Sequence, residues 1–201
     1  MGKKILIILA FELVFQHVRC QALKLGIEFG GSTSNQEYVY NSIFGPYTEM
    51  GQYLLGANIS YPLLGDGFGL FIETSHRVFN GSEISFNGSN LILGPCWRKS
   101  INSLELEIIG GYGKGWDKYI LNDSQIGFRS ISNNMSIFYG GLTMFIPTTQ
   151  YLDLMIGARL TMNSNSNITA SFYIDPNDVQ IPSLLYSGMI GLSFNLFGND
   201  K

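Results

Sequence analysis

Apolar and polar residues alternate at period two along most of this chain, the spacing of strands that turn one face to each of two environments. Leu23, Leu25, Ile27 and Phe29 alternate with Lys24, Gly26, Glu28 and Gly30. From about 51 to 63, Tyr53, Leu55, Ala57, Ile59 and Tyr61 oppose Gln52, Gly56, Asn58 and Ser60. From 68 to 78, Phe68, Leu70, Ile72 and Thr74 oppose Gly69, Phe71, Glu73, Ser75 and Arg77. From 90 to 98, Leu91, Leu93, Pro95 and Trp97 oppose Ile92, Gly94, Cys96 and Arg98. Pro95 lacks an N–H to donate to a ladder, so a bulge or a strand end is expected there.

A fifth segment sets Leu104, Leu106, Ile108 and Tyr112 against Glu105, Glu107, Gly111 and Gly113. The sixth, 135–146, is apolar on both faces, and its pattern leaves the register open. In the seventh, Leu152, Leu154, Ile156, Ala158 and Leu160 oppose Asp153, Met155, Gly157, Arg159 and Thr161. The last, Leu184 to Phe197, places Tyr186, Gly188, Ile190, Leu192, Phe194 and Leu196 opposite Ser187, Met189, Gly191, Ser193 and Asn195. Eight strands are therefore predicted, and the connections alternate strictly. Long polar stretches at 32–50, 79–89, 114–134 and 163–183 separate short turns at 64–67, 99–103 and 147–150. Residues 168–174 have the pattern to add a small extension strand within the last of these loops.

Even strand number, about ten residues per strand and long loops alternating with short turns are features of up-and-down barrels that cross a membrane. The pattern predicts an all-β protein: an eight-stranded antiparallel up-and-down transmembrane β-barrel, with short periplasmic turns and long extracellular loops. An open edge in lipid would leave backbone groups unpaired at several kcal/mol each, so the first and last strands must pair. A soluble barrel would turn the apolar face inward instead. Two observations favour the membrane orientation. The nine strand charges, Lys24, Glu28, Glu73, Arg77, Arg98, Glu105, Glu107, Asp153 and Arg159, all share the face that carries the glycines. On the apolar face, Phe29, Tyr53, Tyr112 and Tyr186 gather at the long-loop ends and Tyr61, Phe68, Trp97 and Phe194 at the short-turn ends, as two aromatic girdles at a membrane's headgroup zones would.

Composition agrees. Charged residues make up 13% of the 201 and apolar ones 45%, with 24 glycines and a formal net charge of −3. That is about half the charge of a typical soluble domain, and nothing in it attracts nucleic acid. At the N-terminus, Lys3 and Lys4 precede an apolar run from Ile5 to Phe15, and Cys20-Gln-Ala22 approximates a cleavage site. Residues 1–22 are therefore expected to be a signal peptide and 23–201 the barrel domain. Cys96 is then the single remaining cysteine, which excludes an internal disulfide and any metal site built on cysteine pairs.

The chain resembles the small eight-stranded outer-membrane β-barrel proteins, the group that contains OmpX-like barrels and the membrane domain of OmpA. The pattern of 23–201 carries the resemblance, and its most motif-like part is Gly191, Phe194 and Leu196, which resembles the terminal signal read by the barrel-assembly machinery. The resemblance implies export, the outer membrane of a Gram-negative-type bacterium, and contact with membrane lipids and with that machinery.

An eight-stranded barrel is just wide enough for its own side chains. The nine inward charges are thus expected to pair into a structural lumen network rather than line a pore. The expected function is that of a non-enzymatic integral outer-membrane protein displaying its loops for adhesion, for interaction with an extracellular partner, or for envelope integrity. The alternatives are a lipid-modifying enzyme and a narrow small-solute channel or carrier. With His17 in the signal segment, His76 is the remaining histidine. It lies on the apolar parity, and Ser75 beside it points to the opposite face, so the two cannot pair directly. No catalytic set, metal-ligand cluster or cofactor motif is found.

Overall fold

The computed structural model describes residues 23–34, 52–64, 67–80, 84–123, 127–170 and 183–196; the proposed signal segment and most of the loops 32–50 and 163–183 lie outside them. Eight strands form a closed antiparallel barrel in which each pairs with its neighbours in sequence order. They are β1 (Lys24–Ser34), β2 (Gln52–Pro62), β3 (Phe68–Asn80), β4 (Ile84–Ile101), β5 (Leu104–Asp123), β6 (Gly127–Pro147), β7 (Leu152–Ala170) and β8 (Leu184–Asn195). Closure comes from β1 and β8, whose ladder runs from Lys24↔Asn195 to Ser34↔Leu185 and leaves neither strand with an open edge.

The period-two reading fixes the faces correctly. Lys24, Glu28, Asn58, Glu73, Arg98, Asp153 and Arg159 are buried inside the barrel, while Ile27, Phe29, Leu55, Leu93, Ile108, Leu154 and Ile190 are exposed on its outer wall. An outer surface this apolar far exceeds the few hundred Å² that a protein in water ordinarily exposes as one patch. The two-faced β6 is explained by what each face meets. Met135, Ile137 and Tyr139 point inward and join Phe71, Ile92, Cys96 and Ile109 in an apolar cluster, whereas Phe138 and Leu142 face out.

Three expectations are corrected. Four strands are much longer than their apolar stretches, 18 to 21 residues for β4, β5 and β6 and 19 for β7 against 11 to 13 for β1, β2, β3 and β8. The segments read as the loops 79–89 and 114–134 are mostly strand, because alternation continues through them in polar residues. Phe86, Asn90, Asp117, Tyr119 and Asn133 are buried and their neighbours Asn87, Trp116, Lys118 and Asn134 exposed. Of the separate extension strand at 168–174, residues 168–170 are instead the end of β7, which is continuous to Ala170 with a register shift opposite Asn134 and Ser136 on β6, and 171–174 lie outside the described residues.

Pro95 makes neither a bulge nor an end. Its ladder to β3 is continuous, and the β4–β5 register is the same on either side of it, from Leu93↔Tyr112 to Cys96↔Ile109. The turn at 99–103 narrows to Asn102 and Ser103, with Asn102 at φ 56° in the left-handed region that asparagine tolerates. At the 64–67 turn, Gly67 has φ 87°, its N–H donates to the Leu64 carbonyl at 3.0 Å, and its carbonyl accepts from Arg98 N–H at 2.9 Å. A Cβ there would run into the Arg98 carbonyl.

Gly67→Ala is therefore expected to destabilise the barrel by more than about 1 kcal/mol, while Asn102→Gly changes stability by roughly half that or less. Reversible urea unfolding in lipid vesicles measures both.

Candidate functional site

Two regions carry chemistry: the lumen, and a polar area on the outer wall at the loop end of β3–β6. Inward parity brings the lumen charges together at three levels. At the short-turn end, Lys24 opens β1 and meets Glu105 of β5 at 2.7 Å and Asp153 of β7. Asn195 Nδ2 adds a bond to Asp153 at 3.2 Å. Beside them, Arg98 places Nε and Nη2 on the same Glu107 oxygen at 3.1 and 2.9 Å and also donates to Ser60. The Phe145 ring lies between the two cations, 4.0 Å from Lys24 Nζ and 5.5 Å from the Arg98 guanidinium carbon, an arrangement that favours positive charge over its π faces.

At mid-barrel, Arg159 of β7 donates to Glu73 of β3 at 3.2 Å and lies 3.5 Å from Glu28 of β1. Asn58 Nδ2 donates to Glu28 at 3.1 Å, and the Tyr139 hydroxyl donates to Glu73. Long side chains fit here because small neighbours leave them room. A Cβ on Gly56 would meet the Glu28 carboxylate, and one on Gly141 or Gly157 would meet Arg159. At the loop end, Arg77 pairs with Asp117 at 2.8 Å over the Phe86 ring.

The structure thus places all nine sequence-predicted lumen residues inside the barrel and pairs eight of them among themselves, while Arg77 pairs with Asp117 instead. Eight of the nine are almost completely buried, and Glu105 retains 17% side-chain exposure. Asp117 is the member that pattern reading missed, because it lies in a segment read as loop. Its signal is visible in retrospect as the inward member of Trp116-Asp117-Lys118. The aromatic residues Phe29, Tyr53, Tyr112, Tyr186, Phe68 and Phe194 are exposed on the outer wall and Tyr61 and Trp97 partly so. Gly191 and Phe194 lie in β8 with Leu196 just after it.

On the outer wall, His76 does not engage Ser75, whose hydroxyl faces the lumen and accepts from Asn90. It pairs instead with Ser89 across the β3–β4 ladder, Nδ1 to Oγ 3.0 Å. Ser89 escaped the sequence reading because it was placed in a loop. Farther round, the Tyr112 hydroxyl at 2.9 Å and Lys114 Nζ at 3.0 Å both donate to Ser136 Oγ. Among the described residues no cluster of three or more His, Cys, Asp or Glu side chains has the arrangement of a metal site.

Removing one member of a buried ion cluster strands its partners. Arg159→Met is expected to cost about 3–5 kcal/mol because two carboxylates lose their counter-ion. Replacing the set together, as Glu28→Gln, Glu73→Gln and Arg159→Met, should recover more than half of that loss in the same urea titration. A triple variant as unstable as the single one would contradict the pairing account.

No protein-family model and no curated protein matches the sequence. Solved structures do match in fold. A major outer membrane protein from Thermus thermophilus is 13% identical, with 88% of this chain and 100% of that one covered at a TM-score of 0.59. Neisserial surface protein A is 8% identical, with 88% and 98% covered at a TM-score of 0.57. Ail, the attachment invasion locus protein of Yersinia pestis, is 16% identical, with 87% and 99% covered at a TM-score of 0.50. This chain, a closed eight-stranded antiparallel up-and-down barrel without helices among its described residues, has the fold of the small eight-stranded outer-membrane β-barrel proteins.

Proposed function

We propose that this protein is a non-enzymatic integral outer-membrane barrel of a Gram-negative-type bacterium, exported by residues 1–22, that displays its loop end for adhesion, interaction with an extracellular partner, or envelope integrity. The observation that carries the reading is the contrast between the two ends of a filled barrel. Paired charges and an apolar cluster occupy the lumen, while β4–β7 continue past the apolar wall as a projecting sheet with polar residues on its outer side. A lumen crossed by ion pairs and an apolar cluster argues against a solute path, and a projecting sheet gives a partner a rigid platform. Phe29, Tyr53, Tyr112 and Tyr186 would anchor the barrel at one headgroup zone and Tyr61, Phe68, Trp97 and Phe194 at the other. Gly191, Phe194 and Leu196 would present the terminal signal to the barrel-assembly machinery.

The name of one fold relative, attachment invasion locus protein, is in keeping with such a role. One observation favours a second reading, a lipid-modifying enzyme: the His76–Ser89 contact puts a hydroxyl nucleophile within reach of a base on the outer wall.

Single cysteines at Asn87 and Ser132 in a Cys96→Ser background are expected to react with an impermeant maleimide on intact cells, and one at Thr149 only after the envelope is opened. Labelling of Thr149→Cys on intact cells would reverse the topology. In planar bilayers the purified chain should produce no channel steps, and Ser89→Ala should leave the envelope lipid profile unchanged. Discrete conductance or an altered lipid profile would favour the channel or the enzyme, respectively.

A further inference from the structure

We propose that the outer wall at the loop end of β5 is a binding site for the phosphate of an anionic membrane lipid; this rests on the outer-membrane reading above. Charge is segregated between the two faces of the wall. Among the residues whose side chains are described, every carboxylate of the barrel points into the lumen and every charge on the outer wall is a lysine: Lys99, Lys114 and Lys118. Lys99 lies at the short-turn end; the other two lie at the loop end, on one face of β5. They are four residues apart, about 13 Å along a strand, with Trp116 between them. No carboxylate among the described residues shares that face to neutralise them.

The height of the pair selects the ligand. Immediately on the short-turn side, Tyr112 and Phe138 meet edge to face at 5.4 Å beside Leu93, so the wall there is apolar. On the other side the row opposite Lys118 is Asn87 and Ser132, which is polar. The ammonium groups therefore sit where an apolar band gives way to a hydrophilic one, the depth at which lipids carry their phosphates.

One of the two lysines is also held in place. Ser136 Oγ accepts from both Lys114 Nζ at 3.0 Å and the Tyr112 hydroxyl at 2.9 Å. That bond uses one of the three ammonium protons. The remaining two are free to donate to an acceptor outside the wall. A phosphate oxygen supplies strong acceptors and the charge the lysines lack. Zwitterionic lipids offer the same oxygens but add a cation that competes with the lysines, so an anionic headgroup is preferred.

Trp116 provides the readout, because Trp97 is the single other tryptophan of the chain. In a Trp97→Phe background, the full chain is folded into vesicles containing brominated phosphatidylglycerol or brominated phosphatidylcholine, and quenching of Trp116 gives the relative binding constant. The anionic lipid is expected to be favoured roughly fivefold or more, and Lys114→Gln with Lys118→Gln should bring the ratio close to one. Lys99→Gln should leave it unchanged. A ratio near one in the parent, or one that survives the double substitution, overturns the site. Absence of quenching by either lipid would instead overturn the membrane reading itself, and heat-dependent gel mobility shows in each case that the barrel is folded.

Discussion

Arg159 is the residue on which the interior turns. It projects from β7 to carboxylates on β1 and β3, strands that are far from it in sequence and not its ladder partners. The backbone ladder binds each strand only to its two neighbours, whereas this guanidinium and the Tyr139 hydroxyl of β6 tie four strands through the middle of the barrel. Such a cluster is costly to desolvate and strongly destabilising to break. It therefore specifies which residues face inward more than it adds net stability. A slip of one residue in β1, β3 or β7 would carry a charge to the apolar wall and leave its partners alone inside.

The rest of the architecture follows from that inward commitment. Once charges and glycines fill the lumen, the large apolar side chains have only the outside left to them, and a wall of leucine, isoleucine and phenylalanine is stable only where lipid replaces water. The apolar cluster of Phe71, Ile92, Cys96, Ile109, Met135, Ile137 and Tyr139 completes the filling on the β3–β6 side. Beyond the apolar belt the constraint relaxes. There β4–β7 continue as a polar sheet, and Arg77 of β3 pairs with Asp117 of β5 at the loop end of the lumen. The asymmetry between four long and four short strands gives the loop end its character and places Lys114, Trp116 and Lys118 at the boundary.

Strand number, order, closure and the side to which Lys24, Glu28, Arg98 or Leu154 points were all legible in the sequence, because period-two alternation between two solvents is a strong signal. The ends of the long strands were not legible. In Asn87, Ser89, Ser132 and Asn134 the outward residues meet a polar surrounding, so the contrast that marks a strand inside the apolar belt vanishes while the backbone ladder continues. Asp117 and Ser89 were missed for that single reason. The register of β6 was hidden by the opposite cause, since a residue facing the inner apolar cluster and one facing outward are chemically alike. Pro95 misleads because proline's general penalty in a ladder says nothing of its neighbours, whose register continues unshifted around it.

Every other feature of this barrel depends on its having the apolar side out and the charged side in. Nitroxide labels placed singly at consecutive positions of β7 from Leu154 to Thr161, with the protein folded into vesicles, test it most directly through collisions with oxygen and with an aqueous nickel chelate. High oxygen and low nickel accessibility are expected at Leu154, Ile156, Ala158 and Leu160, and low values of both at Met155, Gly157, Arg159 and Thr161. Nickel accessibility typical of bulk water at the first set, with the labels at the second behaving as though packed in an apolar core or facing lipid, would contradict it.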